Sequence, residues 1–259
     1  SQKENFSKIM STYFSQFYRL LEKNKPNCVI LLGDRYEALI FGICAKLLNI
    51  KIIHFHGGET TLGSLDNIWR DTISKLSDYH FTSLKLYKDK LVSLGINKKK
   101  IFNVGSIGVA NIAKSKIKKK FIFPNNLNFN RKILVSYHSL TILISQSRKD
   151  LNELLNALSS FKKDFILFTY PGHDFDSDYI IRSIKNFNKF NKNSMMIKNA
   201  KLFSFPTLLK SFDVFVGNSS AGIIEAPTAK IPTINIGNRQ KGRISGKSIF
   251  HVPANKKKI

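Results

Sequence analysis

Acidic residues are scarce: 17 Asp and Glu stand against 42 Lys and Arg in 259 residues, a formal net charge of +25. A surplus of that size raises nucleic acid as a partner. The cations, however, are mostly lysines and are scattered. Dense runs occur at Lys98-Lys99-Lys100, Lys118-Lys119-Lys120 and Lys256-Lys257-Lys258, the pattern of solvated faces. Zinc-ligand spacing and an aromatic RNA-binding signature are both absent. Nucleic acid is therefore not the expected partner, and an anionic substrate is left to use part of the charge. No apolar run reaches the roughly 18 residues of a membrane span, so no membrane partner is expected either. Only two cysteines occur, Cys28 and Cys44, both in apolar segments. Buried thiols of a reducing compartment are expected rather than a disulfide. No sequence repeat and no secretory pattern is found.

What is present is an alternation. Apolar residues at helical spacing (Phe6, Ile9, Met10, Tyr13, Phe14, Phe17, Leu20, Leu21) predict a helix over 6–21. The run 28–32 is apolar at every position, which predicts a strand buried on both faces of a parallel sheet. A helix is then expected over 36–48, a strand over 52–55, and an amphipathic helix on Leu65, Ile68, Trp69, Thr72, Ile73 and Leu76. Strand 79–82, helix 84–94 and strand 101–104 follow. The Lys- and Asn-rich stretch 114–131 breaks the rhythm and reads as a connection. It restarts with strands at 133–137, 165–169, 195–197, 214–216 and 232–236, and helices at 151–161, 179–190, 205–211 and 220–229. Such alternation is that of α/β doubly wound sheets. The expected domains are 1–113 and 132–259, both Rossmann-like. The first lacks an opening strand with a phosphate-binding turn, and both ends look cut short.

Ligands gather at the carboxyl ends of strands in such sheets, and four polar clusters stand there. Asp34, in Gly33-Asp34-Arg35-Tyr36-Glu37, is either a helix N-cap or a functional carboxylate. The run His54-Phe55-His56-Gly57-Gly58-Glu59 sets histidines and a carboxylate beside two glycines, a combination suited to acid–base work. Metal binding by His54, His56 and Glu59 is an alternative, since the two histidines would share one face of an extended strand, but nothing supplies a further ligand and no metal is expected. Asp66 and Arg70 share a helix face, as an ion pair or as site residues. Gly217-Asn218-Ser219-Ser220-Ala221-Gly222 opens a helix whose free N–H groups and hydroxyls suit a diphosphate, with Glu225 placed for ribose hydroxyls. The alternative for Ser219 is simple capping. His138, Arg239 and Arg243 lie past strands at the same edge.

These motifs, with Lys75-Leu76-Ser77, His80-Phe81-Thr82-Ser83, Val104-Gly105, the continuation Ile223-Ile224-Glu225-Ala226-Pro227 and the closing run Pro232 to Arg243, resemble the hydrolysing UDP-N-acetylglucosamine 2-epimerases. The resemblance covers almost the whole chain. It implies a two-domain GT-B-like fold with substrate in an interdomain cleft, a cytoplasmic enzyme of nonulosonic acid precursor synthesis, no metal or redox cofactor, and a homodimer. The implied reaction eliminates UDP across C1–C2 to a glycal and adds water with inversion at C2. By the same resemblance Asp34 is an acid/base residue, Asp66 and Arg70 face the sugar, and His138 opens the second domain's share of the site. Ser219, Ser220 and Gly222 hold the diphosphate with Arg239 and Arg243, and Glu225 binds ribose. The base is His56 or Glu59. The family's opening strand with its Gly-Thr-Arg turn and its C-terminal helices are not found, so a fragment with weak or no turnover is expected.

Overall fold

The computed structural model describes residues 2–116, 121–124, 128–140, 143–172, 176–198 and 205–259, with side chains from residue 7 onward. The stretches 117–120 and 125–127 of the expected connection, including the lysine run 118–120, lie outside the described residues. The chain forms two compact units: Ser1–Thr60 with Leu65–Ile107, and Thr61–Ser64 with Gly108–Ile259.

The first unit runs α1 (Gln2–Asn24), β1 (Cys28–Leu32), α2 (Tyr36–Leu47), β2 (Lys51–Phe55), α3 (Asp66–Leu76), β3 (Tyr79–Thr82), α4 (Lys85–Ser93) and β4 (Ile101–Asn103). Its sheet is parallel throughout, in the order β1-β2-β3-β4. Each strand pairs with its successor, and right-handed crossovers then deliver every helix to the same side. Val29, Leu31 and Ile52 pack there against Leu39, Ile40, Cys44 and Ala45 of α2 and Ile73 of α3. The other face carries two cross-strand rows, Ile30–Ile53–Tyr79 and Leu32–Phe55–Phe81–Phe102. Ile30, Leu32, Tyr79 and Phe102 are exposed on it. The expectation that β1 is buried on both faces is thus corrected. So is that for the cysteines: Cys44 is buried, whereas Cys28 lies on the open face and is exposed, and both are free thiols.

The second unit contains α5 (Ile107–Lys114), β5 (Lys132–Ser136), α6 (Ile144–Leu158), β6 (Phe165–Thr169), α7 (Ser177–Phe190), β7 (Ser194–Ile197), α8 (Phe205–Ser211), β8 (Val214–Gly217), α9 (Ser220–Ile224), β9 (Thr233–Ile236) and β10 (Ile249–Val252). All pairs in its six-stranded sheet are parallel, in the order β10-β9-β8-β5-β6-β7. Both faces are covered. Ile133, Val135, Ile166 and Phe168 pack on α6 and α7, while Leu134, Phe165, Leu167 and Phe215 pack on Ile112, Leu208, Leu209 and Phe212. Phe121, Phe123 and Phe129, from the stretch read as a connection, join this second cluster. Helix α5 (IGVANIAK) and strand β10 (IFHV) are absent from the sequence expectation although both are largely apolar; each is too short to show a repeating face. Helix α9 is shorter than the expected 220–229, because Pro227 has no N–H to donate and restricts the residue before it.

Candidate functional site

In the second unit the chain runs from β5 outward to β7, then returns to the other side of β5 and runs from β8 to β10. The direction of winding reverses between β5 and β8, and at such a switch point the loops after the two strands part to leave a ligand crevice. His138 follows β5 and Asn218 follows β8. The Asn218 side chain clips the two ends together: Oδ1 accepts from the His138 N–H at 2.8 Å and Nδ2 donates to the His138 carbonyl at 2.8 Å. Gly217 makes this approach feasible, since at φ 142° any Cβ would overlap the Ser136 carbonyl. The His138 ring lies between the Ser136 hydroxyl (Nε2, 3.4 Å) and the Gly172 N–H, which donates to Nδ1 at 3.4 Å.

Ser219 caps α9, its hydroxyl accepting from the Ala221 N–H at 3.4 Å, and Ser220 is the first helical residue. Gly222 lets the helix lie close on the sheet; a Cβ there would stand 2.8 Å from the Phe215 ring and 2.9 Å from Thr233. The carboxylate of Glu225 lies against Gly108 at the start of α5. On the loop after β9, Gln240 donates to the Asn218 carbonyl at 2.9 Å, Arg239 reaches the same oxygen at 3.4 Å, and Arg243 donates to the Gln240 side chain at 3.0 Å. Both arginines therefore sit beside the β8–α9 turn. Asn218 and Gln240 are buried residues that sequence reasoning passed over. Their only signal was adjacency to Ser219 and Arg239.

In the first unit the predicted residues fall into two linked groups. Asp34, past the end of β1, does not cap α2; Arg35 occupies the cap position, its side chain making no capping bond and pairing with Glu37 instead. Asp34 instead pairs with the guanidinium of Arg70, from α3. Arg70 is 1% exposed, and it also donates to the Glu59 carbonyl at 2.9 Å. Removing a guanidinium so far from water requires such partners. Asp66 begins α3, one turn before Arg70. In the second group His56 Nδ1 lies 2.8 Å from Glu59 Oε1, and the Ser83 hydroxyl donates to the same oxygen at 2.9 Å. With Glu59 ionised, Nδ1 is the donor of this pair, which leaves Nε2 as the lone-pair nitrogen whenever the ring is neutral. The Glu59 side chain is 5% exposed and that of His56 15%, so the imidazole is the more open of the two.

The idea that His54 and His56 share a strand face is corrected. Strand β2 ends at Phe55, and His56 turns into left-handed backbone at φ 65°. His54 points under the helices, where burial, opposed in part by its bond to the Gly33 carbonyl, pushes it down to about 4. Among the described residues no three His, Cys, Asp or Glu side chains converge as a metal site would require.

A family model described as UDP-N-acetylglucosamine 2-epimerase matches residues 1–259. The chain is 35% identical over 258 residues to a GDP/UDP-N,N'-diacetylbacillosamine 2-epimerase (hydrolyzing) of Campylobacter jejuni, covering 96% of this chain and 66% of that protein. It is 37% identical over 254 residues to the polysialic acid biosynthesis protein P7 of Escherichia coli, covering 96% and 64%. The chain thus spans about two thirds of the length of these relatives. Among solved structures, the UDP-GlcNAc 2-epimerase of Neisseria meningitidis bound to UDP-GlcNAc superposes with a TM-score of 0.74 at 17% identity, over 97% of this chain and 71% of that one; at that identity the likeness is one of fold. With the parallel α/β sheets, the Rossmann strand order and a family match over its full length, this chain belongs to the UDP-N-acetylglucosamine 2-epimerase family.

Proposed function

We propose that the protein is a hydrolysing 2-epimerase of a UDP-2-acetamido sugar, with the nucleotide held by the second unit and proton transfer carried out by the first. The observation that carries the reading is the switch point of the second sheet, where Asn218 fixes His138 beside the Ser219–Ser220 turn and Arg239. N–H groups, hydroxyls and guanidinium groups gathered there suit a diphosphate.

The chemistry follows from what each step needs. A base removes the C2 proton as the C1–O bond to UDP breaks, giving a glycal. Water then adds at C1, and C2 takes a proton on the opposite face. The sum is UDP-sugar plus water giving UDP and the free 2-epimeric sugar. His56 is the base in this reading, oriented by Glu59 as a carboxylate orients a catalytic imidazole, and Ser83 holds the carboxylate. Asp34, set by Arg70, supplies the second proton. The departing diphosphate is stabilised in the second unit, where Arg239 and Arg243 offset its charge. Glu225 accepts from ribose hydroxyls.

The name of the Campylobacter relative favours a 2,4-diacetamido sugar, and the description of the matching family favours N-acetylglucosamine. Incubation in D2O with a panel of UDP- and GDP-linked 2-acetamido sugars decides among these. The expected product is a free sugar inverted and deuterated at C2, with UDP released in equal amount. UDP release without deuterium at C2, or release that requires a sugar acceptor, would overturn the reading.

A further inference from the structure

His54 is fully buried, yet both of its ring nitrogens are engaged. Nδ1 lies 3.0 Å from the Ser74 hydroxyl on α3, and Nε2 lies 2.8 Å from the Gly33 carbonyl. A carbonyl only accepts, so Nε2 carries the proton and Nδ1 accepts from Ser74. Gly33 is the turn residue between β1 and Asp34, held at φ 77°, and its own N–H donates to the Phe55 carbonyl at 3.0 Å. The turn is therefore gripped at both of its peptide groups, from β2 through the backbone and from His54 through the ring. Gly57 adds a separate observation. A Cβ at that position would stand 2.8 Å from the Ser74 hydroxyl and 3.0 Å from His54 Nδ1. The His54–Ser74 pair thus fills the space that a side chain at 57 would take.

We propose that His54 is a positioning residue: Ser74 fixes its tautomer, its Nε2–H clamps the Gly33 carbonyl, and the clamped turn presents Asp34 to Arg70 in a single orientation. The inference rests on the reading above that Asp34 takes part in proton transfer. His54 itself has no free nitrogen to bind a metal or move a proton.

The two bonds can be separated by substitution, because a Gln amide nitrogen falls near imidazole Nε2 and an Asn amide near Nδ1. His54→Gln keeps the clamp on Gly33, whereas His54→Asn keeps only the bond to Ser74. In His54→Asn, Ser74→Ala and Gly57→Ala the expected result is a kcat lower by about 10- to 100-fold with little change in KM, the scale of a displaced catalytic group. His54→Gln is expected to recover most of kcat. Hydrogen exchange at the Gly33 amide, read by NMR on the same proteins, should accelerate in His54→Asn and stay slow in His54→Gln, and this readout does not depend on turnover. Equal loss in the Gln and Asn variants, or losses that follow the urea midpoints, would overturn the inference. If exchange behaves as expected while the wild-type chain releases no deuterated sugar, the clamp stands and the proposed reaction falls.

Discussion

The two sheets are built from the same parallel strands and differ in how they are wound. In the second unit the strand order reverses at β5, crossovers fall on both sides, and alternate residues of each strand feed separate cores. In the first the order never reverses, all crossovers fall on one side, and the other carries a row of four apolar side chains whose ends, Leu32 and Phe102, are exposed and whose middle, Phe55 and Phe81, is half-buried. The lesson is that an all-apolar strand such as Cys28–Leu32 reports suitability for burial, and topology decides whether burial occurs. A patch of this kind is where large apolar surfaces usually mark contact with other material.

The contrast can be tested by cutting each sheet. Phe168 is 1% exposed and edge-on to Phe187 at 5.5 Å; Phe168→Ala is expected to cost about 3–5 kcal/mol in urea unfolding. A loss below about 1 kcal/mol would mean that the second sheet is not the tightly filled one. Next in size is Arg70→Met, which strips Asp34 and the Glu59 carbonyl of a buried partner. Because Asp34 keeps some solvent, about 2–3 kcal/mol is expected rather than the full loss of a wholly buried pair.

Acid should act on the first unit before the second. Burial depresses both His54 and His80 to about 4. The folded state therefore binds fewer protons than the unfolded one below about pH 6.5. Stability from each histidine is complete above that pH and is lost as pH falls through 4, with on the order of 2 kcal/mol gone per histidine by pH 5. Unfolding followed by near-UV signals of each unit should show the first unit failing at the higher pH, and a pH-independent midpoint between 7 and 5 would contradict it. The smallest effect belongs to the open face. Ile30→Thr should change stability by no more than about 0.5 kcal/mol, while lowering the binding of an apolar dye. A large destabilisation there would show that the face is covered.

Much of the alternation is legible in the chain. Strands β1, β3 and β6 and helix α8 coincide with the spans read from apolar runs and breakers. What could not be read are features made by residues far apart in sequence. Asp34 and Arg70 are separated by 36 positions, so the spacing that set Asp66 beside Arg70 gave no hint of the pairing. Asn218 grips a backbone 80 positions away, and an asparagine in a Gly-Asn-Ser-Ser turn has no local mark of that task. His54 and His56 looked like neighbours on a strand because left-handed backbone at a histidine is rare, and alternation was the default.

By itself, the chain's pattern of apolar runs determined most of the segments that become strands and helices, α5 and β10 excepted, since burial of a repeating face needs only local periodicity. The ordered motifs also carried the family. The tertiary structure decided which face of each strand is covered, which nitrogen of His54 holds Gly33, and that Arg70 turns to Asp34. Those outcomes depend on strand order and on bonds across many residues, and no short window of sequence encodes either.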